Sequence, residues 1–316
     1  TDFTQYSFNQ SVITPGMKLT GTLPPGQCTT GGGTCNFVPA DSRADFDGDG
    51  KTDVSVFRGS EGNWYLNRST DGFQVLNWGL ASDALTPGDY DDDGKADTAV
   101  FRANADSAQP DFYILNSNGF TVTGASWGLP GDTPVVADYD GDGKDDVAVF
   151  RPSNNTWYVI NSGGAPASSI TVYGQAGDVP VAGDFDGDGK GDLSVYRSGT
   201  WLSQLSGGGT SSTALGAAGD VLVPADYDGD NKDDVAVFRP STGTWYVVKS
   251  TDASTLVVPF GTSGDVPVPG DYDGDGKDDF AIYRNGQWWI NASTSGVSVT
   301  NFGIATDKPI PRSYVP

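Results

Sequence analysis

No histidine occurs anywhere in the 316 residues. That absence alone removes Ser-His-Asp and Cys-His catalysis, imidazole metal sites and the commonest general base. Glutamate is almost as scarce, with Glu61 as its sole representative. Only two cysteines are present, Cys28 and Cys35, and two sulfurs without histidine cannot close a zinc site. Their spacing suits a local disulfide and hence an oxidising compartment, with two free thiols as the other reading. Positive charge is short, with 18 Lys+Arg against 41 Asp+Glu and a net charge of −23. A surface of that sign repels phosphate, which argues against nucleic acid and against anionic membranes as partners. No apolar run approaches the roughly 18 residues of a membrane span, so membrane insertion is not expected. No signal peptide is visible, and the expectation is that any such leader is removed before the numbering starts.

What is abundant is glycine, 44 residues against a single methionine, a usage that suits short strands and tight turns and suits helices poorly. The chain is also self-similar. An acidic motif starts at Asp45, Asp89, Asp138, Asp184, Asp226 and Asp271, with successive starts 44, 49, 46, 42 and 45 residues apart. Each unit reads as four short strands. In the last one these are Val266–Asp271, Phe280–Arg284, Gln287–Ala292 and Ser298–Phe302, with Asn285-Gly286 as a hairpin signal and a second turn at Ser293–Gly296. Four strands in about 45 residues is the length of a propeller blade, whereas calcium-binding β-helices repeat every nine residues or so. The expected fold is therefore all-β, a propeller of four-stranded blades.

Six units are complete. Asp307-Lys308-Pro309-Ile310-Pro311-Arg312-Ser313-Tyr314 then copies Asp265-Val266-Pro267-Val268-Pro269-Gly270-Asp271-Tyr272, with Ser313 where the motif's first Asp would stand. Read as the start of a seventh unit, it predicts seven blades, six full repeats plus a composite closing blade. Residues 1–36 precede the repeats as an N-terminal arm, and 37–316 form the propeller. In the arm Met17, Leu19, Gly21 and Leu23 alternate with Lys18, Thr20 and Thr22, a strand pattern. Such strands could complete the seventh blade in cis, removing exposed edges, or pair with another subunit in trans.

The motif is Asp-x-Asp-x-Asp-Gly-x-x-Asp, with acids at positions 1, 3, 5 and 9 and a lysine offering its backbone carbonyl at position 7. The six sets are Asp45, Asp47, Asp49, Lys51 and Asp53; Asp89, Asp91, Asp93, Lys95 and Asp97; Asp138, Asp140, Asp142, Lys144 and Asp146; Asp184, Asp186, Asp188, Lys190 and Asp192; Asp226, Asp228, Asp230, Lys232 and Asp234; and Asp271, Asp273, Asp275, Lys277 and Asp279. That many hard oxygen ligands suits Ca²⁺ better than Mg²⁺, which wants a small rigid octahedron. Glycine at position 6 permits a positive φ, and Asn231 in the fifth loop is the next most tolerant residue. The second loop has Asp92 where the others have glycine at position 4, and binding is expected there too. An EF-hand opens in the same way but needs a glutamate at position 12, where this chain has Val56, Val100, Val149, Val195, Val237 and Ile282. Merely solvated turns are disfavoured, because each pair of unneutralised carboxylates about 5 Å apart repels by roughly 1 kcal/mol even in water. With millimolar calcium and a Kd near 10⁻⁴ M each site would add about 1.4 kcal/mol, which suits about six structural ions in an exterior, calcium-rich compartment.

On these residues the chain resembles the FG-GAP/VCBS repeat family, whose members include integrin α-subunit heads and many secreted bacterial proteins. The resemblance runs from Phe37 to Tyr314. Phe260-Gly261 and Phe302-Gly303 echo the family's Phe-Gly, which becomes Trp78-Gly79, Trp127-Gly128, Tyr173-Gly174 and Leu215-Gly216 elsewhere. It implies a seven-bladed propeller with calcium in the loop joining the first two strands of a blade, and adhesion, ligand binding or scaffolding in place of catalysis. Ser313 departs from a seven-site pattern, and nothing beyond the repeats resembles an integrin.

Three further series repeat. Trp64, Phe112, Trp157, Trp201, Trp245 and Trp288 lie in the third strands, followed in five units by Tyr65, Tyr113, Tyr158, Tyr246 or Trp289. They read as packing between blades, with stacking on sugar rings as the alternative. Arg58, Arg102, Arg151, Arg197, Arg239 and Arg284 end the second strands, while Asp83, Asp132, Asp178, Asp220 and Asp265 lie six residues before loops two to six. This pattern predicts bidentate ion pairs between blades. With 24 acids committed to loops and one glutamate left, no glycosidase-like pair stands out, so no enzyme is expected. The functional expectation is a secreted or cell-surface scaffold working through protein contacts, with the arm able to link copies into a fibre; a glycan-binding lectin is the competing class.

Overall fold

The computed structural model describes residues 44–310 except 105, 107 and 165. The N-terminal arm, the Cys28–Cys35 pair and Ser313 lie outside the described residues. Within them no helix is long and apolar enough to cross a membrane.

The described residues form six antiparallel sheets of four strands, arranged as the blades of a propeller. The second strands, such as Val54–Arg58, Val147–Arg151 and Phe280–Arg284, are apolar on successive residues because neighbouring blades cover both of their faces. Third strands alternate buried and half-buried residues, and the fourth strands at the rim alternate half-buried with exposed ones. Prolines sit in the innermost first strands, at Pro134, Pro180, Pro267 and Pro309. Such a strand pairs on one side only, so it tolerates a missing N–H. At Asn285-Gly286 both residues have positive φ, 51° and 85°, the twist that a two-residue hairpin requires. In the last unit Phe280–Arg284 and Gln287–Ala292 form with the bounds expected of them, while the first strand is only Val266–Pro267 and the fourth runs Gly296–Asn301.

Seven blades are not observed: the described residues make six. The strand read as the start of a seventh blade, Lys308–Pro309, completes the first one, with Val56 opposite Pro309 and Phe57 opposite Lys308. Ser55 and Ile310 add two hydrogen bonds, one from the Ile310 amide to the Ser55 carbonyl and one from the Ser55 hydroxyl to the Ile310 carbonyl, both 2.9 Å. The physical reason is phase. The first sheet takes its second, third and fourth strands from Val54–Asn77, so its innermost place is filled from the far end of the repeats. The ring is thus closed by its last strand, and the composite seventh blade drawing on residues 1–36 is not needed.

The core is divided among the seams. Six apolar clusters each join residues of two adjacent blades, for example Trp64, Leu66 and Phe57 with Leu85 and Val100, or Val54 and Val56 with Val268, Ala281 and Trp288 across the closure. The third-strand aromatics are the largest pieces: Trp64, Phe112, Trp157, Trp245 and Trp288 are fully buried and Trp201 nearly so. Each of the five tryptophans donates its indole N–H to the carbonyl of the residue before a glycine: Trp78, Tyr173, Leu215, Phe260 or Phe302. The repeating aromatic-Gly dipeptide is therefore an anchor for the tryptophan as well as a turn.

Candidate metal centres in the six acidic loops

Acidic loops two to six join the first and second strands of their blades, and the first loop leads into the second strand Val54–Arg58; all six lie on one face of the ring, together with the turns between third and fourth strands. Position 1 builds the loop. One oxygen of Asp45 accepts the Gly48 amide at 2.6 Å and the other accepts the Gly50 amide at 2.8 Å. The same pair of bonds recurs in every loop, down to Asp271 with Gly274 and Gly276. Positions 4 and 6 both need positive φ. Asn231 meets that need at 64°, and Asp92 meets it at 63°.

Position 9 is the buried floor. Asp53, Asp97, Asp146, Asp192, Asp234 and Asp279 are at most 1% exposed, and each accepts the amide of the aromatic residue at position 2. Burial pushes their carboxyls up, to about 7 for Asp53, Asp97 and Asp279 and to about 6 for Asp146, Asp192 and Asp234, with neighbouring loop aspartates adding in the same direction.

Position 3 carries the observation that bears most directly on a ligand. Asp47 uses one oxygen to accept the Thr70 and Asp71 amides at 2.8 and 2.7 Å, while its Oδ1 is buried with no hydrogen-bond partner. The Oδ1 atoms of Asp91, Asp228 and Asp273 are buried and unpartnered in the same way. A buried carboxylate oxygen left bare is costly, and its recurrence at one position of four loops is systematic. Oxygens of positions 1, 3 and 9 lie within 4.8 Å of one another in the first four loops, as do those of Asp226, Asp228 and Asp230 in the fifth. The donor set and its bare oxygens fit a hard divalent cation.

Position 5 is arranged by residues that the motif does not reveal. The hydroxyls of Ser69, Ser117, Ser162, Ser206, Ser250 and Ser293 donate to Asp49, Asp93, Asp142, Asp188, Asp230 and Asp275 at 2.5–2.8 Å. The amides of the same serines donate to the position 9 carboxylates at 2.6–2.7 Å. One serine thus orients two acids in every loop. The position 7 lysines donate their own amides to position 5, while their side chains leave the loop, as Lys190 does in reaching the Asp140 carbonyl of the preceding blade at 2.8 Å.

The opposite face carries the arginine–aspartate series. The pairs are bidentate, as expected, but they lie within blades and not between them. Arg102 binds Asp83 through Nε and Nη2 at 2.8 and 2.6 Å, and Arg151–Asp132, Arg197–Asp178, Arg239–Asp220 and Arg284–Asp265 repeat this. The correction follows from strand direction: an Asp just before the first strand and an Arg at the end of the antiparallel second strand are neighbours in one sheet. Blade one obtains its partner from the far end of the repeats, Asp307 with Arg58 at 2.8 and 2.9 Å. Five of the arginines also lie over the second aromatic of the third strand, at 4.2 Å for Tyr158 and 5.3 Å for Trp289.

Residues 138–195 match the FG-GAP-like repeat. That span covers the third acidic loop, the second to fourth strands of its blade and the fourth loop. No curated protein matches the chain. Among solved structures, the chain is similar to a lectin of Agrocybe aegerita described as recognising non-reducing terminal N-acetylglucosamine, with 18% identity over 85% of this chain and 79% of that one and a TM-score of 0.53. It is similar also to a streptogramin B lyase, with 9% identity over 84% and 85% of the two chains and a TM-score of 0.53. A third structure, BBS1N in complex with ARL6DN, has 13% identity over 84% and 80% and a TM-score of 0.49. At these identities the likeness to the first two is one of fold.

Proposed function

We propose that this is a calcium-stabilised, non-catalytic propeller scaffold of the secreted FG-GAP type, working outside the cytoplasm through contacts with other proteins. The bare, buried Oδ1 of Asp47, Asp91, Asp228 and Asp273 is the observation that supports it best. In each loop the carboxylates of positions 1, 3, 5 and 9 and the backbone carbonyl of the position 7 lysine would hold the ion. When bound, calcium supplies positive charge to carboxyls that burial otherwise pushes toward neutrality. Its role is structural, because the loops repeat around the ring, whereas a reaction centre would single out one place. The test is metal uptake with a melting curve. Calcium should bind at about six ions per chain and raise the melting temperature, and a chelator should reverse both. Residues 1–36 remain the proposed connector between copies: filaments in millimolar calcium that disappear on deleting them would support self-assembly, and uniform single particles would argue against it.

A second reading has its own observation. On blade one, Phe73 is 61% exposed, stacked on Tyr65 and edge-on to Phe302 of blade six. Beside it Tyr65 and Asn63 hydrogen-bond the chain's sole glutamate, Glu61, and Asn77 donates to Asn63 at 2.8 Å. An exposed ring beside a carboxylate and two carboxamides, found on one blade only, suits the apolar face and hydroxyls of a sugar. Saturation-transfer NMR with N-acetylglucosamine, compared with Phe73→Ala, tests it; no transfer from a panel of sugars would remove the lectin reading.

A further inference from the structure

The six loops are physically linked to one another. The amide at position 8 of each loop donates to the position 1 carbonyl of the preceding blade's loop: Ala96 to Asp45, Asp145 to Asp89, Gly191 to Asp138, Asp233 to Asp184 and Asp278 to Asp226, all at 2.6–2.7 Å. The sixth bond, Thr52 to Asp271 at 2.7 Å, joins the first loop to the last. Each of these amides lies next to a position 9 carboxylate, and each acceptor belongs to the residue whose carboxylate organises the neighbouring loop. A second link runs alongside. A Cβ added at Gly141, Gly187, Gly229 or Gly274 would come within 2.7–3.0 Å of the side chain of Lys190, Lys232, Lys277 or Lys51, the position 7 lysine of the following loop. The next loop's lysine thus lies directly across the position 4 glycine. The second loop, with Asp92 at position 4, meets Lys144, whose ammonium reaches the Asp91 carbonyl at 3.4 Å.

We propose that the six acidic loops form one closed belt that takes up its cations cooperatively, each filled loop ordering the next. This rests on the calcium reading above and adds to it a coupling between sites. An ion bound in one loop fixes its position 1 residue. That residue's carbonyl then holds the amide beside the next loop's position 9 carboxylate, so the second ion meets a loop whose ordering has already been paid for. Electrostatics works in the opposite direction, since every ion makes the face less negative. At 0.15 M salt the screening length is about 8 Å, which weakens that repulsion between loops more than it weakens the bonded links.

The experiment is a calcium titration of the full chain in 0.15 M KCl, followed by isothermal calorimetry and by loop-resolved hydrogen exchange. The wild type should take up about six ions with a Hill coefficient clearly above 1. In Asp228→Ala, which removes a ligand of the fifth loop, the adjacent loops 184–192 and 271–279 should need about fivefold more calcium for protection, the low end of typical couplings. Loop 89–97, across the ring, should be unchanged. Lys277→Ala keeps its backbone carbonyl and should still fill six sites, but with a lower Hill coefficient. Six independent sites, or a shift equal in all loops, would overturn the coupling while leaving the calcium reading intact. No calcium uptake at all would overturn both.

Discussion

The two faces of the ring bury the same residue type and stabilise it by different means. On one face Asp83, Asp132, Asp178, Asp220, Asp265 and Asp307 have side chains 0–2% exposed, each gripped by an arginine. On the other, the position 9 aspartates are equally buried, and the hydrogen bonds they accept among the described residues come from backbone N–H groups and a serine hydroxyl. The arginine face is complete in itself, and Arg197 correspondingly holds the Asp178 carboxyl below the usual carboxylate range. The loop face has carboxyls raised by burial and four bare oxygens, which under the proposed function a bound cation would neutralise. Symmetry hides this difference in the sequence, where both series are simply repeated aspartates.

The largest effect should come from stripping the loop face. Chelation should cost on the order of 8 kcal/mol if six sites each contribute about 1.4 kcal/mol in millimolar calcium, a drop in melting temperature well above 10 °C by calorimetry. If the arginine face set stability instead, a chelator would leave the melting curve in place.

Acidity should then act with opposite sign on the two forms. A carboxyl whose folded pKa is raised above its unfolded value destabilises the fold at high pH, and that cost is relieved as pH falls through the folded value. Metal-free protein should therefore gain stability from pH 8 down to pH 5, through the range of about 7 to about 6 in which the position 9 groups titrate. Calcium-loaded protein should lose stability over the same range as protons displace the ion. Melting curves at four pH values with and without chelator would separate the two slopes.

A smaller effect should mark the other face. Arg284→Ala leaves Asp265 buried without its guanidinium and should cost about 3 kcal/mol, by the same amount with and without calcium. Smallest of all, Ser250→Ala removes one hydroxyl from Asp230 and should cost about 1 kcal/mol, felt as roughly fivefold weaker calcium binding at the fifth loop and less at its neighbours.

Much of the fold was legible because its signals are periodic. The acidic loops, the β-branched second strands and the aromatic third strands recur every 42–49 residues, and the structure places them as one set per blade. The blade count was not legible, since a strand that completes the first blade and one that opens a seventh have the same sequence; only the pairing of Pro309 with Val56 distinguishes them. The partner of each arginine was similarly hidden, because sequence spacing does not say whether two neighbours share a sheet. In the loops, positions 1 to 9 were readable as a motif. The six serines were not, since the hairpin that delivers them varies in length: Ser117 follows Asp97 by 20 residues and Ser206 follows Asp192 by 14. The signal available was a serine one or two residues after the third strand of every unit.

The most direct test is the metal content of the protein itself. Equilibrium dialysis of the full chain against 1 mM calcium in 0.15 M KCl, with elemental analysis of both compartments, should find about six calcium ions bound per chain above the free concentration. Equal calcium on both sides of the membrane, with the fold intact, would contradict the assignment of these loops as cation sites.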